Sequence, residues 1–319
     1  MQDKNVLSIV VPIYNEATII CEFHKRLVAV LQQLNCQSEI IYVNDGSTDS
    51  SLETLQRLRT DDLRVAIVDL SRNFGKEIAL SAGLDHSRGD AIVVIDADLQ
   101  DPPELIPDLV EQWKKGFDVV YAKRVSRRGE TWFKKLSAYL FYRVLHRISP
   151  IQVPMDTGDF RLISRQVADS LKQLRETHRF MKGLFAWVGY RQTAVPFERD
   201  PRIGGKTKWN YWKLWNLAIE GITSFSIAPL KVATYLGFIT ASGAFLYAMV
   251  IIYKTILYGE SVKGYPSLMV VMLFLGGIQL ITLGIIGEYL GRTFVETKER
   301  PLYFVKQFEP STALQEEAK

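Results

Sequence analysis

Cysteine is nearly absent: Cys21 and Cys36 are the only two in 319 residues. They form no CxxC pair and no metal-ligand cluster, which excludes a disulfide scaffold and a cysteine-based zinc site and leaves free thiols in a reducing compartment as the expectation. No dense basic tract interleaved with aromatics occurs, and the net charge is only +4, so nucleic acid is not an expected partner. The first apolar run, residues 6–11, is too short for the core of a secretion signal, and the amino-terminal domain is therefore expected to stay cytoplasmic. Gly205-Lys206-Thr207 ends like a P-loop, but Asp200 stands where the first glycine is needed, which excludes a Walker A reading.

Charge is missing altogether from two stretches, residues 232–253 and 265–287. Each is long enough to cross a hydrocarbon core of roughly 30 Å, and a pair of transmembrane helices is expected in preference to a buried soluble hairpin. Neither run holds a central ionisable group, which argues against an ion or proton pathway and for anchoring. The only cationic residues in the connector are Lys254 and Lys263, whereas Lys231, Arg292, Lys298, Arg300 and Lys306 flank the other ends, so both termini are expected on the cytoplasmic side of the inner membrane. The pair Gly276-Gly277 permits close helix approach and hence a homo-oligomer through the spans.

What precedes the spans has the mixed composition of a soluble α/β domain. Apolar runs at residues 6–11, 39–43, 65–70, 91–95 and 119–123 read as strands, separated by helical spacing at residues 17–34, 49–58, 78–86 and 104–115. This alternation predicts right-handed crossovers and a doubly wound, mostly parallel sheet, with Pro12 breaking the first strand. Residues 155–164 read as a turn leading into a short strand or helix, and residues 180–188 as a further apolar segment. Residues 130–148 and 209–229 pattern as basic, aromatic-rich amphipathic helices suited to the plane of an anionic bilayer. The expected division is a cytoplasmic catalytic domain at residues 1–229, a two-helix hairpin at 230–291 and a polar cytoplasmic tail at 292–319.

The chemistry is concentrated where strands end. The run 91–95 stops abruptly in Asp96, Asp98 and Gln100, and in an open parallel sheet that tip borders the ligand crevice. Two carboxylates two residues apart can turn oxygens toward one hard cation, Mg²⁺ or Mn²⁺, bridging to a diphosphate. Asp-x-Asp by itself is most often a solvated turn, so the setting carries the reading. The turns holding Pro12, Tyr14, Glu16, Asp45 and Asp49 should gather at the same edge, where carboxylates and an aromatic ring could hold a base and a ribose. A glycine-containing basic loop at residues 197–208 could close over phosphates.

Five ordered motifs, Val-Val-Pro-Ile-Tyr-Asn-Glu, Val-Asn-Asp-Gly-Ser-Thr-Asp, Arg-Asn-Phe-Gly-Lys, Asp-Ala-Asp-Leu-Gln-Asp-Pro-Pro-Glu and Gly-Asp-Phe-Arg-Leu, followed by two spans, resemble the GT-A glycosyltransferases of family 2 over nearly the whole chain. The branch most similar is the polyisoprenyl-phosphate glycosyltransferases, which include dolichyl-phosphate mannose synthases and the bactoprenol glucosyltransferases of the GtrB type. The resemblance implies that Pro12, Tyr14, Glu16, Asp45 and Asp49 contact the nucleoside, that Asp96, Asp98 and Gln100 hold the metal with the diphosphate, and that Asp159 faces the sugar. It further implies that Arg124, with Lys123 or Arg128, holds the lipid phosphate, and that Arg202, Lys206 and Lys208 close on phosphates. The implied reaction is inverting transfer of a hexose, glucose by branch resemblance, from a UDP-sugar to polyprenyl (undecaprenyl) phosphate. GDP-mannose as donor is the alternative; a non-catalytic nucleotide sensor or flippase subunit is a rival from another class. A processive polysaccharide synthase is disfavoured, because the chain has no Gln-x-x-Arg-Trp signature and too few spans.

Overall fold

The computed structural model describes residues 5–34, 36–125, 157–197, 226–258 and 264–313, together with 143 and 223. The interfacial helices expected at 130–148 and 209–229 lie outside these residues, apart from isolated positions and the last few residues of the second. So do Arg128, Arg202, Lys206 and Lys208.

Among the described residues, eight strands form one sheet: β1 (Val6–Ile13), β2 (Gln37–Asn44), β3 (Val65–Leu70), β4 (Ala91–Val94), β5 (Val119–Arg124), β6 (Thr157–Ser164), β7 (Gln192–Phe197) and β8 (Val305–Glu309). Their order is β7-β5-β6-β4-β1-β2-β3-β8. Pairings among β1 to β4 are parallel, as is β5 with β7, while β6 runs antiparallel to both β4 and β5 and β8 antiparallel to β3. The doubly wound, mostly parallel sheet is thus observed, with two reversals that alternation alone did not reveal.

The central strands are apolar on both faces because both are covered. Leu7, Ile9, Val11 and Ile13 of β1 face α1 (Ile20–Gln33), α2 (Ser51–Asp61) and α4 (Ile106–Lys114) through Phe23, Leu27, Leu55 and Leu109. Val10 and its neighbours Ile41 and Val43 join the opposite core, built from α3 (Lys76–His86), α5 (Arg165–Gln173) and α6 (Met181–Trp187). Each of these buried side chains contributes about 1.5–3 kcal/mol of apolar transfer, so the strand tips have a rigid base.

Pro12 does not break β1, contrary to the expectation from sequence. Val10 accepts the Ile95 N–H at 3.1 Å, so its polar backbone faces β4. Pro12, two residues on, faces the same way, beyond the last β1–β4 pair at Val10 and Val94, and its missing N–H leaves no ladder bond unmade. The polar segment expected as a tail from residue 292 is likewise part of the fold through Glu309. It continues as helix to Glu296 and returns as β8, pairing Ile67 with Glu309 and Leu70 with Val305. That strand covers the otherwise open edge of β3.

Two helices, α7 (Ala228–Tyr258) and α8 (Tyr265–Glu296), pack together outside the sheet domain. Each contains a 27-residue apolar stretch long enough to cross a membrane, Ala228–Lys254 and Val270–Glu296. At about 1.5 Å per residue, helices of 31 and 32 residues exceed the roughly 30 Å needed. The end of α8 meets the domain, where Glu296 accepts the Thr177 N–H at 2.8 Å. Because β1 precedes the hairpin and β8 follows it in one sheet, both ends of the hairpin lie on the same side of any bilayer it crosses.

Candidate active site

Parallel strands end at one edge, and the reversed β6 begins there. Its Arg161 pairs with Val94, the last residue of β4, so Gly158 and Asp159 stand beside the turn carrying Asp96 and Asp98. β5 reaches the same edge with Lys123 opposite Thr157. Asp96, Asp98, Asp159, Lys123 and Arg124 are therefore gathered by topology, as are the β1 and β2 tips with Tyr14, Glu16, Asp45 and Asp49.

The acidic turn is shaped by backbone geometry. Leu99 sits between Asp98 and Gln100 with a left-handed φ of 57°, which a leucine adopts only where its surroundings hold it. Its side chain is buried, as is Gln100, whose N–H donates to Asp98 Oδ1 at 3.2 Å. Behind the turn, Arg26 of α1 holds Glu104 through two bonds of 2.9 and 2.7 Å.

At the β1 and β2 tips the turns are stitched to each other. Asn15 donates its N–H to Ser47 Oγ at 3.0 Å and accepts the Thr48 N–H at 2.8 Å. Glu16 N–H reaches Ser51 Oγ at 3.0 Å, while Asp49 accepts the N–H groups of Ser51 and Ala17 at 3.0 and 3.3 Å. These bonds hold the Asp49 carboxylate below its ordinary range, against the desolvation that raises it. Asp45 is buried, and its two oxygens accept the Phe74 and Gly75 N–H groups at 2.7 and 3.0 Å. Burial pushes its carboxyl up in spite of them. Both aspartates thus have structural work in addition to any contact with a nucleoside. Tyr14 stands 40% exposed beside them, and Pro12 is half-buried in β1.

Lys76 was not singled out from sequence, although it closes the Arg-Asn-Phe-Gly-Lys motif. Its Nζ donates to Asp96 Oδ2 at 2.6 Å and also to Asp159 Oδ2. Desolvation lowers its pKa, but the two carboxylates, Asp96 first, more than reverse this and raise it. The same partnership, with Lys182 and Arg161 adding to it, holds Asp159 well below the usual carboxylate range against desolvation. Asp96 moves the other way: burial raises it, Lys76 pulls it down, and nearby Asp159 opposes that pull. Asp159 is thus anionic at neutral pH, and its Oδ1 is buried with no hydrogen-bond partner among the described residues.

Three further groups complete the edge. Arg161, buried beneath β6, donates to the Gly158 carbonyl at 2.9 Å and lies 4.0 Å over the Phe185 ring; burial lowers its pKa to about 10. Glu77 accepts the Met181 N–H at 3.2 Å and is raised to about 7 by desolvation, then by Asp159. Arg124 Nη2 comes within 3.9 Å of buried Asp101, and a Cβ added to Gly158 would lie 3.1 Å from the same nitrogen. Arg124 Nε is buried with no hydrogen-bond partner among the described residues. Positive and negative groups are therefore interleaved at this sheet edge.

No cluster of three or more His, Cys, Asp or Glu side chains suited to a metal occurs among the described residues. A Mg²⁺-type site does not require one, since such ions take one or two carboxylates and complete their shell with substrate phosphates and water. The Asp96 and Asp98 turn, with Asp159 Oδ1 unbonded beside it, fits that donor set.

Comparison with known proteins agrees with this geometry. Residues 8–172 match the family described as Glycosyl transferase family 2, and residues 228–293 match the GtrB C-terminal hairpin. The chain is 58% identical to an uncharacterized glycosyltransferase of Synechocystis sp., with 94% of each chain covered. It is 49% identical to an uncharacterized glycosyltransferase of Bacillus subtilis, covering 94% of this chain and 93% of the other. It is 47% identical to the bactoprenol glucosyl transferase of Shigella phage SfX, covering 94% and 98%.

Proposed function

The chain belongs to glycosyl transferase family 2, and from that premise we propose that it transfers a hexose, glucose first among candidates, from a UDP-sugar to polyprenyl phosphate at the cytoplasmic face of a membrane. The carrying observation is the meeting of Asp96, Asp159, Lys76 and Arg124 at one sheet edge of a domain tied at both ends to an apolar hairpin. The acceptor and the sugar are supported by the phage relative, named a bactoprenol glucosyl transferase. The cytoplasmic side is supported by five cationic residues flanking the domain ends of the hairpin against two in its connector.

In this reading Pro12, Tyr14, Glu16, Asp45 and Asp49 line the nucleoside side. Asp96, Asp98 and Gln100 hold Mg²⁺ or Mn²⁺ with the donor diphosphate. When bound, the cation neutralises the charge that builds on the departing diphosphate. Arg124, with Lys123 or Arg128, receives the acceptor phosphate, and Arg202, Lys206 and Lys208 close on phosphates. An anionic phosphate oxygen attacks the anomeric carbon, a new C–O bond forms, and the bond to the diphosphate breaks with its electron pair leaving on UDP. In-line attack inverts the centre and gives a lipid-phosphate-linked sugar. The nucleophile is already ionised, so no strong base is needed; ionised Asp159 orients the sugar, and the cations reduce repulsion between the two phosphates.

The test is a panel of labelled nucleotide sugars presented with undecaprenyl phosphate, with and without EDTA. UDP-glucose should label the lipid and EDTA should stop it. Asp96→Asn and Asp98→Asn should lose transfer while still inserting in the membrane; wild-type turnover by either would remove the metal assignment. Labelling from GDP-mannose alone would replace glucose as the sugar.

A further inference from the structure

Two carboxylates, Asp96 in the turn after β4 and Asp159 in β6, touch a single nitrogen, Lys76 Nζ. Anions brought this close repel unless a cation stands between them, and here a side chain is that cation. Its placement is built in. Lys76 is the first residue of α3, behind Gly75 at φ 98°, and the N–H groups of Phe74 and Gly75 are both held by buried Asp45.

We infer that Lys76 is a resident counter-cation that occupies Asp96 in the donor-free protein and yields it to the divalent ion when the nucleotide sugar arrives. The inference rests on the reading of Asp96 as a metal ligand. One carboxylate oxygen cannot serve an ammonium at 2.6 Å and a divalent ion at full strength together, so Lys76 competes with metal binding. The diphosphate offsets the competition by bringing negative charge that a released ammonium can pair with, and Lys76 also keeps Asp159. Metal and donor therefore bind as a pair, and bare metal binds poorly. Lys76 is a positioning residue in this scheme, and it keeps Asp96 and Asp159 close together before substrate is present.

Mn²⁺ binding to the full-length protein in detergent, followed by the loss of the free-ion paramagnetic resonance signal, tests this without reference to turnover. Wild type should bind Mn²⁺ weakly alone and tightly with UDP. Lys76→Met removes the charge and keeps most of the stem; it should bind Mn²⁺ without nucleotide at least about tenfold more tightly than wild type, the scale expected on removing a cation a few ångströms away. The gain should vanish in Lys76→Met/Asp96→Asn, and Lys76→Arg, which keeps the charge, should bind as wild type does. Should Lys76→Met not fold, Lys76→Gln carries the same expectation. Unchanged or weaker Mn²⁺ binding in the neutral variants, with UDP-dependent binding intact in wild type, overturns the inference alone. Absence of Mn²⁺ binding in wild type even with UDP overturns the metal reading and the inference with it.

Discussion

Asp45 accepts the Gly75 N–H at 3.0 Å, linking the tip of β2 to the start of α3 across 30 residues of sequence. A carboxylate at a helix N-terminus is favoured by the helix dipole and by the unpaired N–H groups there, and this one also takes Phe74. It therefore aims Lys76 at Asp96 and Asp159. Asp45→Asn keeps the shape but turns an NH₂ toward one of the two donors. It should lower stability by about 1–3 kcal/mol and slow transfer at least about tenfold, with membrane insertion unchanged. Melting temperature and transfer rate check this together. Weakened UDP binding at an unchanged melting temperature would assign Asp45 to the nucleotide alone.

Glu77 yields a pH prediction. Its folded pKa, about 7, lies above the ordinary 4.5, so the folded state binds the proton more tightly than the unfolded chain. Stability from this group is full below about 4.5 and is lost as pH rises through about 7. Glu77→Gln keeps an acceptor for Met181 N–H and removes the titration. The variant should gain stability relative to wild type on going from pH 5 to pH 8, by on the order of 2 kcal/mol. Parallel denaturation curves at the two pH values, with a constant difference, would refute it.

Gly46 tests how tightly the two turns fit. It has φ 63°, and an added Cβ would lie 2.4 Å from the backbone carbon of Arg72. Backbone cannot swing aside as a side-chain tip can, so Gly46→Ala must push the β3–α3 turn away or unfold it. A loss of about 2 kcal/mol or more is expected, with transfer falling further than stability because Lys76 follows that turn. A melting temperature within a degree of wild type would show the turn to be compliant.

Much of this was legible in the sequence because the sheet centre is buried on both faces: continuous apolar runs mark β1 to β4, and 3.6-residue spacing marks the helices packed on them. The acids at the β4 tip were legible for the same reason, since a buried strand that stops in carboxylates must stop at an edge. Contacts between distant residues were not legible. Lys76 meets Asp159 across 83 residues, and a lysine in a polar turn reads as solvated until β6 reverses and brings Asp159 to it. Arg161 lies within the Gly-Asp-Phe-Arg-Leu motif, but its burial depends on Phe185 of a later helix. β8 leaves no strand signal in the sequence because Val305–Glu309 is mostly exposed and shows little alternation, so its pairing with β3 is a tertiary choice.

The segment after α8 is fastened at a second point, and this supplies the last prediction. Tyr303 donates its hydroxyl to Asp85 Oδ2 at 2.7 Å, and Arg175 holds the same carboxylate at 2.8 and 3.0 Å. Burial, then Asp85, raises the Tyr303 pKa, so the hydroxyl remains a donor throughout the neutral range. Beyond it Ser71 N–H donates to the Phe304 carbonyl at 2.9 Å, placing the strap against the turn that leads to Lys76. Tyr303→Phe removes one hydrogen bond to a charged acceptor that Arg175 still neutralises, and about 1–2 kcal/mol should be lost. The loosened strap should be cut more readily by protease between α8 and β8, while the apolar hairpin stays inserted. Cleavage at the wild-type rate, with no fall in melting temperature, would mean that β8 pairing alone holds the segment in place.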